Sequence, residues 1–443
     1  MSTEALCIDY YQLTMLNTYF ERQMGETATF ELFMRDLPPN RSFLLAAGLE
    51  QALEFLENLC FPESQLEWLK EHAGFSAAFL NFLEEMRFTG DVDAMPEGTV
   101  FFANEPVLRV TAPLAEAQFV ETRLVNIIQT QSMFASKAAR CVLAAPNKQL
   151  VEFGMRRAHG LEAGLFAARA AFIAGMSGTS NVLAGRLYGL PLFGTMARSL
   201  VQACGGERQA FERFAIANPT NVVLLLDSHN LEEGVAAVKR LAPSLKQRGI
   251  TIKGVRIDGD ELAPMAVSLR AALDGAGLEE TGIFAGGNLD EFALAELTEK
   301  DAPIDGFGVG TRLTTSGDTP SLDCTYQLVQ YDGRPTSLRT RGKASLPGRK
   351  QVFRSFSSQG RMHWDLIGLE EDLEEGVPLL HPVMRRGKHL HPTPPLDNMR
   401  ARAKSHLSSL PDFLKDLYPG EPYPIELGES LRKIVLEQTS EEV

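Results

Sequence analysis

Short apolar runs alternate with amphipathic stretches through the middle of the chain. From about residue 145, each apolar run is followed by a stretch with helical spacing; the runs are QLVEFGM, AAFIAGM, LPLFGTM, NVVLLLD, IKGVRID, GIFAGGN and IDGFGVG. Near-continuous apolar strands that alternate with helices are typical of a parallel sheet covered by helices. Seven such repeats favour a closed or nearly closed (β/α) barrel, with a doubly wound sheet as the alternative.

The two ends of the chain have a different pattern. Before residue 125, helical stretches such as YYQLTMLNTYFERQ are mixed with strand-like stretches such as ATFELFMRDLPP. After residue 320, the pattern predicts antiparallel strands with turns at Asp332–Gly333 and Pro347–Gly348, followed by two helical stretches. A chain of 443 residues exceeds one ordinary core, so we expect two domains.

Composition and charge narrow the classes of function. The chain is 44% hydrophobic and 23% charged, which is ordinary for a globular protein, and its net charge of −14 argues against general binding to nucleic acid or anionic membranes. Its five cysteines form no C-x-x-C pair, which favours a reducing compartment. The sequence shows no secretory signal and no run long enough to span a bilayer. We therefore expect a soluble cytoplasmic protein.

Polar residues follow the apolar runs. In a parallel barrel the carboxyl ends of the strands share one rim, where ligands bind. The rim residues are Arg156, Arg157, Ser177–Ser180, Thr195, Arg198, Asp227–His229, Arg256, Asp258, Asp260, Gly286–Asn288, Gly308, Gly310 and Thr311. Polar loop residues end the strands of any α/β protein, but that alternative does not explain the arginines or the glycines on two consecutive late strands.

The glycines and carboxylates of this rim suggest a phosphorylated ligand. AGGNLD and GVGT each place glycines between a strand and a helix start, where backbone N–H groups can approach a phosphate; a pair of tight turns is the alternative. Asp227, Asp258 and Asp260 suit Mg²⁺ held largely through water, or ribose hydroxyls. Helix N-capping is the alternative for these carboxylates, above all for Asp260.

Basic residues are concentrated in two further places. The segment Arg334–Arg354 contains seven basic residues and no acidic one, which indicates either an anion-attracting surface or a solvated strand face. Lys137 and Arg140 lie near the start of the barrel, either facing an anion or on an ordinary amphipathic helix. The histidines show no metal-ligand spacing, and we find no G-x-S-x-G motif, no P-loop and no strand-end lysine suited to a Schiff base.

An ordered set of motifs resembles the nicotinate phosphoribosyltransferases. The set is IDYYQLTM, FELFMRDLP, SKAARCVLAAP, EFGMRRAHG, GTSNVLA, GTMARS, VRID, DGFGVGT and GKASLPGRKQV, spread over about residues 8 to 385. The resemblance implies an α/β fold with an irregular (β/α) barrel, residues 136–322, and an α/β domain formed by both chain ends, residues 1–135 and 323–443. It also implies a homodimer with active sites at the subunit interface.

The resemblance also implies a reaction, in which nicotinate displaces pyrophosphate from C1 of 5-phosphoribosyl-1-pyrophosphate to give nicotinate mononucleotide. Mg²⁺ assists, and many members couple the reaction to ATP hydrolysis. Because charge develops on the ribose and the pyrophosphate, positioning and electrostatics should dominate catalysis. For nicotinate, the resemblance alone implies Tyr11 and Phe153, and the rim offers Arg156, Thr179 and Ser180. For phosphoribosyl pyrophosphate, the candidates are the basic Lys137 and Arg140 and the rim residues Gly286, Gly287, Asn288, Gly308, Gly310 and Thr311. The rim residues Arg256, Asp227, Asp258 and Arg198 are the candidates for catalysis, and Asp227 and Asp258 also for a metal.

Three departures from the family pattern lie on the rim. Arg198 stands where the family motif G-T-x-A-H-S has a histidine that ATP phosphorylates. The usual I-D-S-G-D-L is IDGDEL here, and the usual D-T-Y-D is DSHN. We therefore expect a transferase that is not coupled to ATP. The alternatives are a phosphoribosyltransferase for another aromatic acid and a catalytically silent relative that binds a nucleotide.

Overall fold

The structure, a computed structural model, describes residues 4–226, 231–337, 345–372 and 374–440. It forms two compact units. The terminal unit comprises the chain up to Ser136 and from Thr319 onward, and the barrel unit comprises Lys137–Asp318. None of the described helices is long and apolar enough to cross a membrane.

The elements are numbered in chain order. The helices are α1 (Tyr10–Glu21), α2 (Leu49–Glu57), α3 (Glu63–His72), α4 (Ala77–Glu85), α5 (Leu114–Phe119), α6 (Glu121–Ala144), α7 (Leu161–Ala174), α8 (Val182–Tyr188), α9 (Arg198–Cys204), α10 (Glu207–Ala217), α11 (Leu231–Gln247), α12 (Leu262–Asp274), α13 (Glu291–Glu299), α14 (Thr311–Thr314), α15 (Leu396–Ser409) and α16 (Glu429–Ser440). The strands are β1 (Thr27–Met34), β2 (Leu44–Leu45), β3 (Asp91–Ala94), β4 (Val100–Phe101), β5 (Leu108–Pro113), β6 (Gln149–Glu152), β7 (Gly178–Thr179), β8 (Val222–Leu225), β9 (Ile252–Asp258), β10 (Gly282–Gly286), β11 (Gly306–Val309), β12 (Cys324–Tyr331), β13 (Arg334–Pro335), β14 (Lys350–Phe356), β15 (Met362–Leu369), β16 (Val377–Pro378), β17 (His381–Arg385), β18 (Lys388–His389) and β19 (Ile425–Leu427).

Both chain ends build the sheets of the terminal unit. A seven-stranded sheet has the order β13-β12-β1-β5-β3-β17-β18, so the strands from before the barrel unit form its centre and the strands from after it lie on both sides. The strand β1 is paired along its length with β12 on one side and with β5 on the other, and seven of its eight residues are buried. Asp332 and Gly333 take positive φ values in the turn between β12 and β13, as the sequence predicts.

Buried charges lie within a second, four-stranded sheet of the terminal unit, with the order β16-β14-β15-β19, and between it and β1. Arg354 on β14 forms a 2.5 Å ion pair with Asp365 on β15, and the Tyr423 hydroxyl donates to the same carboxylate at 3.0 Å. Burial and the neighbouring Asp365 raise the pKa of Glu105 well above its ordinary value. Lys350 is buried and lies 2.7 Å from Glu31 on β1. Paired buried charges are costly to break, so this part of the basic segment is structural.

The barrel unit contains a six-stranded parallel sheet with the order β7-β6-β11-β10-β9-β8. The first strand of this unit, β6, pairs with its last strand, β11, which is the connectivity of a barrel rather than of a doubly wound sheet. Beyond β7 the sheet continues as a single parallel bridge between Thr179 and Leu192. Within the described residues no pairing joins that bridge to β8, so the barrel is incomplete. The predicted irregular barrel is confirmed.

One predicted strand is a helix. The sequence predicts AAFIAGM as the second barrel strand, but α7 continues into this run as far as Ala174, and the strand is the shorter Gly178–Thr179. Ten of the fourteen residues of α7 are buried, so the helix lacks a polar face and its sequence has no helical periodicity to distinguish it from a buried strand.

Candidate active site

A cation, a carboxylate and an aromatic ring meet at the carboxyl ends of β9 and β6. The Arg256 guanidinium donates to both oxygens of Asp258, with Nε–Oδ1 and Nη2–Oδ2 distances of 3.0 Å. Its Nη1 lies 3.4 Å from the Thr195 hydroxyl, and its Cζ lies 5.5 Å from the centroid of the Phe153 ring. The Arg256 and Asp258 side chains are 23% and 26% exposed, so the pair is accessible to a ligand.

Glycines allow this contact across two intervening strands. Arg256 is on β9 and Phe153 follows β6, with β10 and β11 between them. A Cβ on Gly286 would lie 2.9 Å from Nη2 of Arg256 and 2.5 Å from Oδ1 of Asp258. A Cβ on Gly308 would lie 2.4 Å from the Phe153 ring. Since non-bonded carbon atoms normally approach to about 3.5–4.0 Å, a larger residue at either position would displace these side chains.

The loop after β10 offers free backbone donors. Gly287 and Asn288 take positive φ values of 113° and 55° and are exposed. Among the described residues, neither N–H group has a protein acceptor. A Cβ on Gly287 would lie 3.3 Å from the backbone of Gly259, so this turn also requires glycine. The arrangement suits a phosphate held by backbone amides.

Helix dipoles contribute less to phosphate binding at these turns than the sequence suggests. The side chain of Asp290 caps the start of α13, accepting from the Ala293 N–H at 3.1 Å, and so places a carboxylate where an anion was expected. The helix α14 has only four residues, and Thr311 is its first, exposed residue. Gly310 lies against the Phe153 carbonyl, with 3.0 Å between that oxygen and a Cβ at this position.

A buried carboxylate links the ends of β6 and β7. Glu152 is fully buried, and its carboxylate accepts from the Gly154 N–H and, at 2.5 Å, from the Thr179 hydroxyl. The Thr179 hydroxyl accepts in turn from the Asn181 N–H at 2.9 Å. Burial raises the pKa of Glu152, and the two hydrogen bonds oppose that rise. Thr179 therefore organises the loop and does not face a ligand, whereas Ser180, the next residue, is exposed.

Two candidate arginines are exposed at the rim. Arg156 lies in the 3₁₀ turn Met155–Arg157 directly after Phe153, and it has no ion-pair partner among the described residues. Arg198 is the first residue of α9, three residues after Thr195, which contacts Arg256. It lines a cavity of about 880 Å³ together with residues of α10 and α11.

The structure corrects two candidate phosphate ligands. Lys137 and Arg140 lie on α6 and are buried, not on the rim. Lys137 Nζ is 2.6 Å from Glu291 and 2.8 Å from Asp318, and Arg140 Nε is 3.0 Å from Glu291. Because their charges are already neutralised inside the unit, we do not retain them as ligands of phosphoribosyl pyrophosphate.

Other candidates lie elsewhere. Asp227 falls outside the described residues, as do Ser228 and His229 and, in the basic segment, Arg339, Arg341 and Lys343. Tyr11 belongs to the terminal unit, on α1, and its side chain is 44% exposed. Burial and the nearby Glu121 carboxylate raise its pKa to about 12, so its phenol is neutral.

The described residues do not form a resident metal site. They contain no group of three or more His, Cys, Asp or Glu side chains able to hold an ion. Both oxygens of Asp258, one of the two predicted metal ligands, accept from Arg256. Mg²⁺ is usually held by one or two carboxylates with substrate phosphates, so Mg²⁺ stays a prediction and no catalytic step is derived through it.

Sequence reasoning missed two residues of the site. Glu152 is the one charged residue in the apolar run QLVEF, and a carboxylate in a buried strand is a signal of a buried polar network. Thr195 lies at a predicted strand end, but the sequence assigns it no role, because its contact with Arg256 comes from a neighbouring segment that no local pattern joins to β9.

Known proteins are similar to this chain over most of its length. Residues 6–129 match the family model of the nicotinate phosphoribosyltransferase (NAPRTase) N-terminal domain, and residues 374–435 match that of the nicotinate phosphoribosyltransferase C-terminal domain. A Mycobacterium tuberculosis protein named nicotinate phosphoribosyltransferase pncB2 is 45% identical over 429 residues, covering 96% of this chain and 92% of that protein. Bacillus subtilis nicotinate phosphoribosyltransferase is 35% identical, covering 96% and 93%.

A solved structure agrees with these relatives. The crystal structure of human nicotinic acid phosphoribosyltransferase superposes with a TM-score of 0.86 and 29% identity, covering 97% of this chain and 99% of the human one. Similarity of sequence and fold over nearly the full length, joined to a rim that places an arginine–aspartate pair beside an aromatic ring, leads to one conclusion. This chain belongs to the nicotinate phosphoribosyltransferase family.

Proposed function

We propose that the chain transfers the 5-phosphoribosyl group from 5-phosphoribosyl-1-pyrophosphate to nicotinate, giving nicotinate mononucleotide and pyrophosphate. The observation that carries this proposal is the position of the Arg256 guanidinium. It lies 5.5 Å from the Phe153 ring centroid and donates hydrogen bonds to Asp258 at the rim of the barrel. The family membership supports the same reaction. An aromatic surface, a fixed cation and a carboxylate are what a pyridine acid and a ribosyl pyrophosphate require together.

In this reaction the pyridine nitrogen forms a bond to C1 of the ribose, and the bond from C1 to the pyrophosphate oxygen breaks with its electron pair. Positive charge develops on the ribose ring in the transition state. The Asp258 carboxylate stabilises this charge directly, or positions the ribose by accepting hydrogen bonds from its hydroxyls. Arg256 is placed to balance the negative charge of the pyrophosphate. The Gly287 and Asn288 amides receive the 5-phosphate, and the unpaired Arg156 and Ser180 receive the nicotinate carboxylate.

The reaction is proposed to run without coupling to ATP. Arg198 occupies the position of the family's phosphorylated histidine, and a guanidinium forms no comparable phosphorylated intermediate. Its permanent charge at the start of α9 suits an anion. Equal product formation with and without ATP, and no transfer of labelled phosphate from ATP to the protein, are the expected results.

The decisive experiment supplies phosphoribosyl pyrophosphate, Mg²⁺ and a panel of pyridine and benzoic acids, with and without ATP. Pyrophosphate is quantified and the nucleotide is identified by mass. Arg256→Gln should abolish turnover, while Lys300→Gln, which removes an exposed ion pair with Glu296, should not change it. Turnover with another acid but not with nicotinate would show that the acceptor is that other acid. Binding of phosphoribosyl pyrophosphate without turnover of any acid would identify a catalytically silent relative.

A homodimer with shared sites is also proposed. Large apolar side chains are exposed around α8, directly after Ser180; they include Val182 at 70%, Leu187 at 52% and Leu192 at 53%. Exposed apolar surface of this kind is typical of protein interfaces. In such a dimer, Tyr11 of one subunit stacks on the acceptor bound by the other.

Complementation tests the shared site. Tyr11→Ala and Arg256→Gln proteins are each expected to be inactive, and mixing them after mild dissociation should restore part of the activity, because some sites then combine one intact residue from each chain. A mixture of Arg256→Gln with Asp258→Asn is the matched control and should stay inactive, because both residues come from the same chain. Failure of the first mixture in a proven mixed dimer would refute the shared site.

A further inference from the structure

A short extended segment lies beside β7, on the side away from β6. Leu192 pairs in parallel with Thr179. The Thr179 N–H donates to the Pro191 carbonyl at 3.0 Å, and the Phe193 N–H donates to the Thr179 carbonyl at 2.9 Å. Thr179 pairs on its other side with Glu152 of β6. Three chain segments therefore run side by side at this part of the rim.

The residues that come next in each of these three segments share a face. Since side chains alternate along extended chain, Phe153, Ser180 and Phe193 come next in register and lie on the face opposite to Glu152 and Thr179. The Phe153 ring lies beside the Arg256 guanidinium, which identifies this face as that of the candidate active site. Phe193 is thus a second aromatic side chain at the site, on the far side of Ser180.

The Phe193 ring occupies space that a glycine leaves free. A Cβ on Gly178 would lie 2.8 Å from Cε2 and 2.9 Å from Cδ2 of Phe193. The Phe153 ring has the same relation to Gly308, where the distances are 2.4 and 2.7 Å. Both rings therefore lean over glycine positions of the strand below the rim, and both stay partly exposed.

The row leaves room for one aromatic ring. Strands lie about 4.8 Å apart, so the backbones that carry the two phenylalanines are separated by about 10 Å, with only a small serine side chain between them. The Phe193 ring leans over Gly178 of β7 and the Phe153 ring over Gly308 of β11, so each ring is displaced by one strand in the same direction and the separation is kept. Aromatic rings make favourable contacts at centroid distances of about 4.5–7 Å, so a single ring placed between the two phenylalanine rings, beside Ser180, contacts both. A fused or substituted ring would meet Phe193.

We propose that Phe193 is the specificity-determining wall of the acceptor subsite, and that it restricts the acceptor to single-ring aromatic acids without a further ring substituent. The inference rests on the proposed function, because it concerns the ring that receives the phosphoribosyl group. Phe193 contacts that ring without taking part in bond making. A shorter side chain at this position opens the subsite toward larger acids and leaves the phosphoribosyl pyrophosphate site as it is.

The test compares Phe193→Ala with the unaltered enzyme on nicotinate, 5-methylnicotinate, 5-ethylnicotinate and isoquinoline-4-carboxylate. The readout is kcat/KM for each larger acid divided by kcat/KM for nicotinate. We expect this ratio to rise by about 10-fold or more for at least one larger acid, the order of discrimination that an apolar pocket wall provides. KM for phosphoribosyl pyrophosphate should stay unchanged.

Controls separate this role from a packing role. Phe193→Leu keeps an apolar side chain over Gly178 and should give an intermediate ratio even where the alanine variant does not fold. Phe214→Ala, a partly exposed position on α10, should leave every ratio unchanged. An equal loss of kcat/KM for all acids, or unchanged ratios in a folded Phe193 variant, would overturn the proposal. No transfer to nicotinate by the unaltered enzyme would instead refute the proposed function itself.

Discussion

Replacing Gly308 by alanine tests whether the glycine layer sets the position of the acceptor ring. The added Cβ would lie 2.4 Å from Cδ2 and 2.7 Å from Cε2 of Phe153, about 0.8 Å or more inside a normal carbon contact of about 3.5–4.0 Å. The ring is the far end of a side chain and can move, but it lies beside Arg256, so it moves within an ordered cluster. Overpacking of this kind costs about 1–3 kcal/mol.

If that cost falls on the geometry needed to bind the acceptor, kcat/KM for nicotinate drops by about 5- to 150-fold, since about 1.4 kcal/mol corresponds to a factor of ten. Alanine keeps the backbone N–H, so KM for phosphoribosyl pyrophosphate should change much less. Steady-state kinetics with each substrate varied in turn measure both values. A thermal unfolding curve shows whether the variant is folded.

Gly25→Ala is the matched control, because Gly25 has no heavy atom within 4 Å of an added Cβ and no positive φ. It should leave both kinetic constants unchanged. The reasoning is refuted if a folded Gly308→Ala enzyme keeps the nicotinate kcat/KM of the unaltered enzyme, because the Phe153 ring would then not need its observed place.

Three further substitutions test other parts of the structure. Glu291→Gln leaves Lys137 buried without its closest counter-charge and should destabilise the protein by about 3–5 kcal/mol in chemical denaturation, with an unchanged KM for phosphoribosyl pyrophosphate; a large rise in that KM would restore Lys137 as a ligand. Glu152→Gln replaces a buried acceptor of two hydrogen bonds, one from Thr179, and should lower the free energy of unfolding by about 1–3 kcal/mol and raise KM for nicotinate. If the kinetic constants did not change, Glu152 would contribute to folding only. Burial first, and nearby arginines second, lower the pKa of His406 to about 4, below its ordinary value of 6.5, so the stability contributed by its neutral form is complete above pH 6.5, and about 3 kcal/mol of it is lost as pH falls toward 4. His406→Gln should flatten the curve of unfolding free energy against pH over this range, and an unchanged slope would contradict the assignment.

Much of the site was visible as local pattern. The strand runs QLVEFGM, IKGVRID, GIFAGGN and IDGFGVG are all strands of one parallel sheet, and the polar residues at their ends do lie at one edge. Arg256 and Asp258 could be found because a strand that is buried in a barrel has little reason to end in two charges two residues apart. The glycines after β10 were likewise readable, since a turn with two successive positive φ values selects glycine and asparagine.

Other features depend on partners that are distant in sequence. The sequence around Lys137 and Arg140 is typical of an exposed basic helix face. In the structure both side chains are buried and form ion pairs with Glu291, which lies about 150 residues later in the chain. The run AAFIAGM fits a buried strand and a buried helix equally well, and only the packing of α7 against the rest of the unit decides between them.

By itself the sequence determined the alternation of strand and helix, the polar rim and the glycine turns, because each of these follows from periodicity or backbone conformation within a few residues. The tertiary structure decided that β6 closes onto β11, that Phe153 meets Arg256 across two glycine-bearing strands, and that Phe193 stands beside Ser180. Those contacts depend on the curl of a sheet and on strand register. Both are set by the summed packing of the whole unit, which no local pattern encodes.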